Sequence, residues 1–184
     1  VLGEGVSSRQ RDTEGRASTM VARRELRSSL QTVVDELDIP VWYYYQFADN
    51  RFDQHDLLDF IKVIESVLTR HRPRVVYTHH PGDLNIDHRR TYEAVITALR
   101  PMSGQATKKL LSIEVPSSTD WGSVQHTDSF SPNWFVDIGS ALDRKLELLK
   151  NYESELREEP HPRSPQALRE RARHWGRFCG VEAA

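Results

Sequence analysis

Thr78-His79-His80-Pro81-Gly82-Asp83-Leu84-Asn85-Ile86-Asp87-His88-Arg89-Arg90 sets three histidines, two aspartates and an asparagine between an apolar run, Arg74-Val75-Val76-Tyr77, and an amphipathic one, Thr91 to Leu99. A strand end, a polar loop and a helix start are the layout this order describes, the place where α/β folds put their ligand chemistry. Just upstream, Leu57, Leu58, Ile61, Ile64, Val67 and Leu68 recur at steps of three and four, which predicts a helix lying on a core. His71-Arg72-Pro73 closes that helix and hands the chain to the strand Arg74 to Thr78. Just downstream, Asp87 is placed to cap a helix with the apolar face Tyr92, Val95, Ile96 and Leu99, stopped by Arg100-Pro101.

The alternation extends in both directions. Arg16 to Leu37 reads as a helix ended by Asp38-Ile39-Pro40, and Val41 to Phe47 as a strand by its β-branched and aromatic composition. Lys109 to Val115 reads as a strand running into Pro116-Ser117-Ser118-Thr119; the stretch 120–133 lacks periodicity and reads as a long loop. Phe135 to Ile138 is a short strand or extended piece, and helices follow over Ser140 to Leu156 and Pro165 to Phe178. Strands alternating with helices predict an α/β fold, a parallel sheet with helices on both faces, within a single domain over residues 1–184. Because the chain enters on Val1-Leu2 and a glycine turn, Gly3-Glu4-Gly5, the first strand is expected to lie ahead of Val1.

Composition narrows the function classes. A formal charge of -2 makes no electrostatic case for nucleic acid or an anionic membrane. The longest apolar run, Val41 to Tyr45, is far shorter than the ~20 residues a membrane span needs. The lone Cys179 excludes an internal disulfide and a cysteine metal cage, points to a reducing cytosol, and is expected to be a small buried hydrophobe.

Imidazole and carboxylate are the usual zinc ligands where cysteine is absent, and a helix N-terminus favours an anion. The central stretch holds no His-x-x-x-His pair on one helix, however, so spacing alone leaves a zinc site and solvated loop histidines with aspartate caps equally open. Asp49, after a strand, can touch a sugar hydroxyl or make a turn; Ser118 and Thr119 can hydrogen-bond a ligand but have no base set beside them by sequence; Arg163 is a carboxylate or phosphate fork or a surface ion pair. Gly3-x-Gly5 lacks the third glycine of a pyrophosphate cradle, Ser8 standing there, and reads as a turn.

His79 to His88, Ala98-Leu99-Arg100-Pro101, Glu114-Val115-Pro116-Ser117-Ser118-Thr119, Phe130-Ser131-Pro132-Asn133, Val136-Asp137-Ile138, Lys145 and His161-Pro162-Arg163-Ser164 together resemble the LmbE-like, or PIG-L-like, zinc-dependent de-N-acetylase family. The resemblance implies a Rossmann-like sheet, a Zn2+ cofactor and hydrolysis of the acetamide of an N-acetylated amino sugar or related amide to acetate and a free amine. It implies that His88 is a zinc ligand and Asp87 its proton-handling partner. The position of the family's transition-state histidine falls on Asn85, an amide that cannot act as an acid, which moves that role toward His80 or His79. Asp83, Ser118, Asp49 and Arg163 are the candidate substrate contacts.

The family's first metal motif, His-Pro-Asp-Asp, occurs nowhere in the 184 residues. The chain as given is therefore expected to hold one zinc ligand and to lack activity by itself. An alternative reading is a non-catalytic α/β module of the same descent that binds a sugar or nucleotide. A cytoplasmic location follows from these readings, and a homo-oligomer from the habit of related enzymes.

Overall fold

The computed structural model describes residues 1–9, 16–125 and 129–184. They form two compact units, Gln46–Phe130 and Val1–Tyr45 with Ser131–Ala184.

In the unit Gln46–Phe130, helix α2 (Leu57–His71) ends where Arg72 turns into the left-handed region at φ 45 and donates its N–H to the Leu68 carbonyl. Strand β1 (Val75–His79), helix α3 (Ile86–Ala98) and strand β2 (Lys109–Ile113) follow. The strands pair in parallel from Val75 opposite Lys109 to His79 opposite Ile113. Parallel neighbours need a crossover, and α3 supplies it, so strand, helix and strand make one βαβ unit. This small parallel sheet with helices about it is an α/β fold. Of the four strands that the alternation predicts, these two form a ladder among the described residues.

Its core is aromatic on one side and small on the other. Phe52 and Phe60 stack at 4.6 Å with Phe47 against both, beside Ile61. Ala94, Val95 and Ala98 bring α3 against α2. The expected faces are thereby corrected. Leu58 and Ile96 are exposed, while Phe60 and Ala94 are fully buried, because the helices turn their small and aromatic positions inward. A second correction concerns 120–133, read as loop: helix α4 (Ser118–Gln125) occupies its start, and residues 126–128 lie outside the described ones. Two turns are too short to show a period, but Asp120 Oδ2 accepts the Ser117 N–H and Thr119 Oγ1 the Val115 N–H, which seats the first turn.

In the other unit, helix α1 (Arg16–Glu36) matches the expected span closely. Val1 donates to the Tyr43 carbonyl and accepts from the Tyr45 N–H, the parallel pattern, yet Val41 to Tyr45 builds no continuous strand. Glu4 is fully buried, its carboxylate accepting from the Val6 and Ser7 amides and from Arg23 Nε at 3.1 Å. The glycine turn around it is thus a carboxylate-centred loop.

Helix α5 (Leu142–Leu149) is shorter than the expected Ser140 to Leu156, because both of its ends tighten into 3₁₀ turns, Gly139–Ala141 and Lys150–Tyr152. Helix α6 (Pro165–Cys179) packs on α5, and Leu142, Ala172 and Ala183 share a core with Ile138 and Leu146. The chain turns back at Gly180 and lies on Gly176, where an added Cβ would meet Ala183 N and Val181 O at 2.7 Å. Cys179 is exposed rather than buried, since it sits on the outer face of this last turn.

Ser164, 1% exposed, accepts the Ala167 N–H at 3.0 Å and is followed by proline at the first helical position, a strong start signal for α6. Ser164→Ala is expected to cost about 1 kcal/mol, read as a lower urea midpoint with an unchanged slope.

Candidate functional site

The candidate site lies within the unit Gln46–Phe130, at the carboxyl end of β1. The strand delivers His79, the loop through Asp83 turns the chain, and α3 begins at Asn85. Asn85 is the cap, its Oδ1 accepting the Asp87 N–H at 2.8 Å. Asp87 therefore does not cap α3, as its sequence position suggested; it stands one residue inside the first helical position, with its carboxylate turned elsewhere. Arg89 Nη1 donates to the Asp83 and Leu84 carbonyls at 2.7 and 2.6 Å, which pins the loop from the helix side.

Asp83 is the hub. It is fully buried, and its Oδ1 accepts from the Asn85 N–H at 2.8 Å and lies 3.1 Å from His88 Nδ1. Its Oδ2 accepts from the hydroxyls of Thr119 at 2.8 Å and Ser118 at 3.0 Å. Burial opposes the charge on Asp83, but the His88 ring and the donors from Asn85 and Thr119 prevail and hold its carboxyl below the ordinary range. An ionised carboxylate only accepts, so the proton of His88 belongs on Nδ1 and the lone pair on Nε2. That is the tautomer in which a histidine serves as a metal ligand or base, with a carboxylate fixing its ring.

The ring of His79 lies flat on that of His88, with centroids 4.0 Å apart and planes 5° from parallel. Burial, then the neighbouring His88, lowers the His79 pKa to about 4, against a smaller opposing pull from Asp83, so His79 is neutral at pH 7.

The remaining expected residues are placed apart from this group. Asp87 is 7% exposed, and its carboxylate accepts the Asn50 and Phe52 amides at 2.7 and 3.0 Å, tying the 50–52 turn to α3. Burial raises its pKa, those two amides pull it back, and nearby Asp49 adds to the rise. His80 meets the Phe130 ring edge-on at 5.3 Å. Arg163 belongs to the other unit, where Glu155 holds it at 2.9 Å. Sequence reasoning named two members of the hub for other parts, Thr119 as a ligand contact and His79 as an alternative carrier of the acid role, because a sequence signal does not say which way a side chain faces.

Gly122 lets α4 reach the hub. An added Cβ there would run into the Gly82 carbonyl and lie 2.7 Å from Leu84 N, both backbone atoms that cannot step aside. The same contact carries the Leu84 N–H to Ser118 O bond, 2.9 Å. Gly122→Ala is expected to destabilise the chain by about 2–3 kcal/mol and to loosen Ser118 and Thr119 from Asp83, visible as faster amide exchange at Leu84.

His88 suits the part of one zinc ligand by its donor chemistry. Among the described residues, no group of three or more His, Cys, Asp or Glu side chains is gathered so as to hold a metal ion. The described residues thus gather no complete metal site. Nor, among them, is any helix long and apolar enough to cross a membrane.

Residues 2–99 match the family described as GlcNAc-PI de-N-acetylase, PIG-L. No curated protein sequence matches the chain. Two solved structures share the fold. The conserved protein TT1542 from Thermus thermophilus aligns with a TM-score of 0.66 at 19% identity, over 94% of this chain and 73% of that one. The N,N'-diacetylchitobiose deacetylase from Pyrococcus horikoshii, solved with its inhibitor MPG, aligns with a TM-score of 0.66 at 18% identity, over 93% of this chain. The alignment spans 65% of the length of that deacetylase.

Proposed function

The chain belongs to the GlcNAc-PI de-N-acetylase (PIG-L) family, and on that footing we propose that the protein is a zinc-dependent hydrolase that removes the acetyl group of an N-acetylated amino sugar or related amide. The observation that carries the reading is His88, held through Nδ1 by the buried carboxylate of Asp83 at the end of a parallel strand. That arrangement fixes the ring through one imidazole nitrogen and keeps the lone pair of the other for a ligand. The reaction adds water across the amide C–N bond and releases acetate and the free amine.

In this reading His88 is one zinc ligand, and the other ligands come from residues other than those described. Zinc, when bound, supplies a Lewis acid for the carbonyl and the water. Asp83 acts on His88 rather than on substrate, since its oxygens face Ser118, Thr119, Asn85 and His88. Asn85 and Asp87 set the start of α3 and the 50–52 turn, which leaves His80 as the candidate acid and Ser118 and Asp49 as candidate contacts to the sugar. A cytoplasmic location and self-association complete the proposal, the latter read by light scattering.

The test uses the full-length protein, with zinc content and acetate release from an N-acetylglucosaminide measured together. Bound zinc and release that a chelator abolishes are expected. Sugar binding without release would favour the non-catalytic module, for which the absence of a three-donor group among the described residues speaks. Neither zinc nor release would overturn the proposal.

A further inference from the structure

We propose that His79 is a positioning residue for His88, a flat plate that, together with the Asp83 carboxylate, fixes the plane in which His88 presents its outer nitrogen. The inference rests on the reading of His88 as the functional nitrogen. One hydrogen bond fixes one point of an imidazole. The contact from Nδ1 to Asp83 Oδ1, 3.1 Å, leaves the ring free to swing about that bond, and the Ser118 hydroxyl at 3.4 Å from the same nitrogen adds no second point. A face does what a point cannot. The 4.0 Å separation and 5° angle put the whole His79 ring against one side of His88, so any swing drives ring atoms into ring atoms.

His79 is suited to be a plate rather than a hydrogen-bonding partner. It ends β1, paired in register with Ile113, so its backbone is held by the sheet. Its Nδ1 is buried without a hydrogen-bond partner, although buried polar groups are normally satisfied. The environment of that nitrogen treats the ring as an apolar surface, which predicts that another flat ring can replace it.

The test is nitrogen-15 NMR of the imidazoles in the metal-free full-length protein, with His88 assigned by its loss in His88→Gln, beside zinc affinity by chelator competition. Wild type and His79→Phe are expected to show one long-lived His88 tautomer protonated on Nδ1, with zinc affinities within about threefold. In His79→Ala the two His88 nitrogens average, and zinc binds about 10-fold more weakly, the lower end for loss of a partner that orients a ligand. A role confined to packing would lower stability without moving the His88 tautomer. An unchanged His88 signature in His79→Ala overturns the proposal, as does a signature lost as fully in His79→Phe. If the alanine variant fails to fold, His79→Leu, which fills the space without a flat face, replaces it under the same criteria. A wild type that binds no zinc overturns the metal reading of His88 and leaves the NMR comparison to decide the plate.

Discussion

Asp83→Ala will destabilise the chain by about 3–5 kcal/mol, because it strips several buried donors of their acceptor at about 1–3 kcal/mol each. The side chain is fully buried and satisfies four donors from two segments: the Asn85 amide and His88 at the start of α3, and the hydroxyls of Ser118 and Thr119 on α4. Truncation leaves the Asn85 N–H and the His88 Nδ1–H without an acceptor in a place water does not reach. Asp83→Asn keeps the volume and one carbonyl oxygen but presents an amide N–H₂ where two hydroxyls now donate; it is expected to cost less, about 1–3 kcal/mol. Urea unfolding of the two variants decides. An alanine variant as stable as the asparagine one would mean that the carboxylate is not what holds α4 to the loop.

The second large effect is on chemistry and spares the fold. His88 is one-fifth exposed, and its removal leaves Asp83 still served by an amide and two hydroxyls. His88→Ala is therefore expected to lower stability by no more than about 2 kcal/mol. In the full-length protein zinc retention and acetate release are both expected to fall by more than the ~100-fold that loss of an outer partner costs. The two variants should separate cleanly: Asp83→Ala moves stability most, His88→Ala activity most. Wild-type turnover in a folded His88→Ala protein would remove His88 from the site.

Part of this was legible in the residues because it is local. The helix over 57–71 follows from the three-and-four spacing of its apolar residues and from Pro73 two positions past its end. The start of α6 follows from Ser164-Pro165, and the central strand, loop and helix from the change of period on either side of His79 to His88. The family, too, could be read from the central motif, and residues 2–99 bear it out.

What the string could not say is which polar side chain faces which. Asp83, Asn85 and Asp87 are alternate acidic or amide residues of one loop, and each makes a plausible cap, ligand partner or substrate contact. Packing parts them: Asn85 turns back onto its own helix, Asp87 crosses to the amides of Asn50 and Phe52, and Asp83 alone meets His88. The missed helix α4 has the same cause. Its two turns are held by contacts to Gly82 and Leu84 some forty residues back, made possible by a glycine that sequence spacing gives no reason to notice.

Period and motif were enough to read an α/β chain and its family, and to single out residues 78–90 as the candidate site. Those are matters of period and short-range pattern. Packing made Asp83 the buried hub, tied His88 to it through Nδ1 and laid His79 flat against the His88 ring. Each depends on residues brought within hydrogen-bond or ring-contact distance by the pairing of β1 with β2 and the approach of α4, and such distances are set by packing, not by position along the chain.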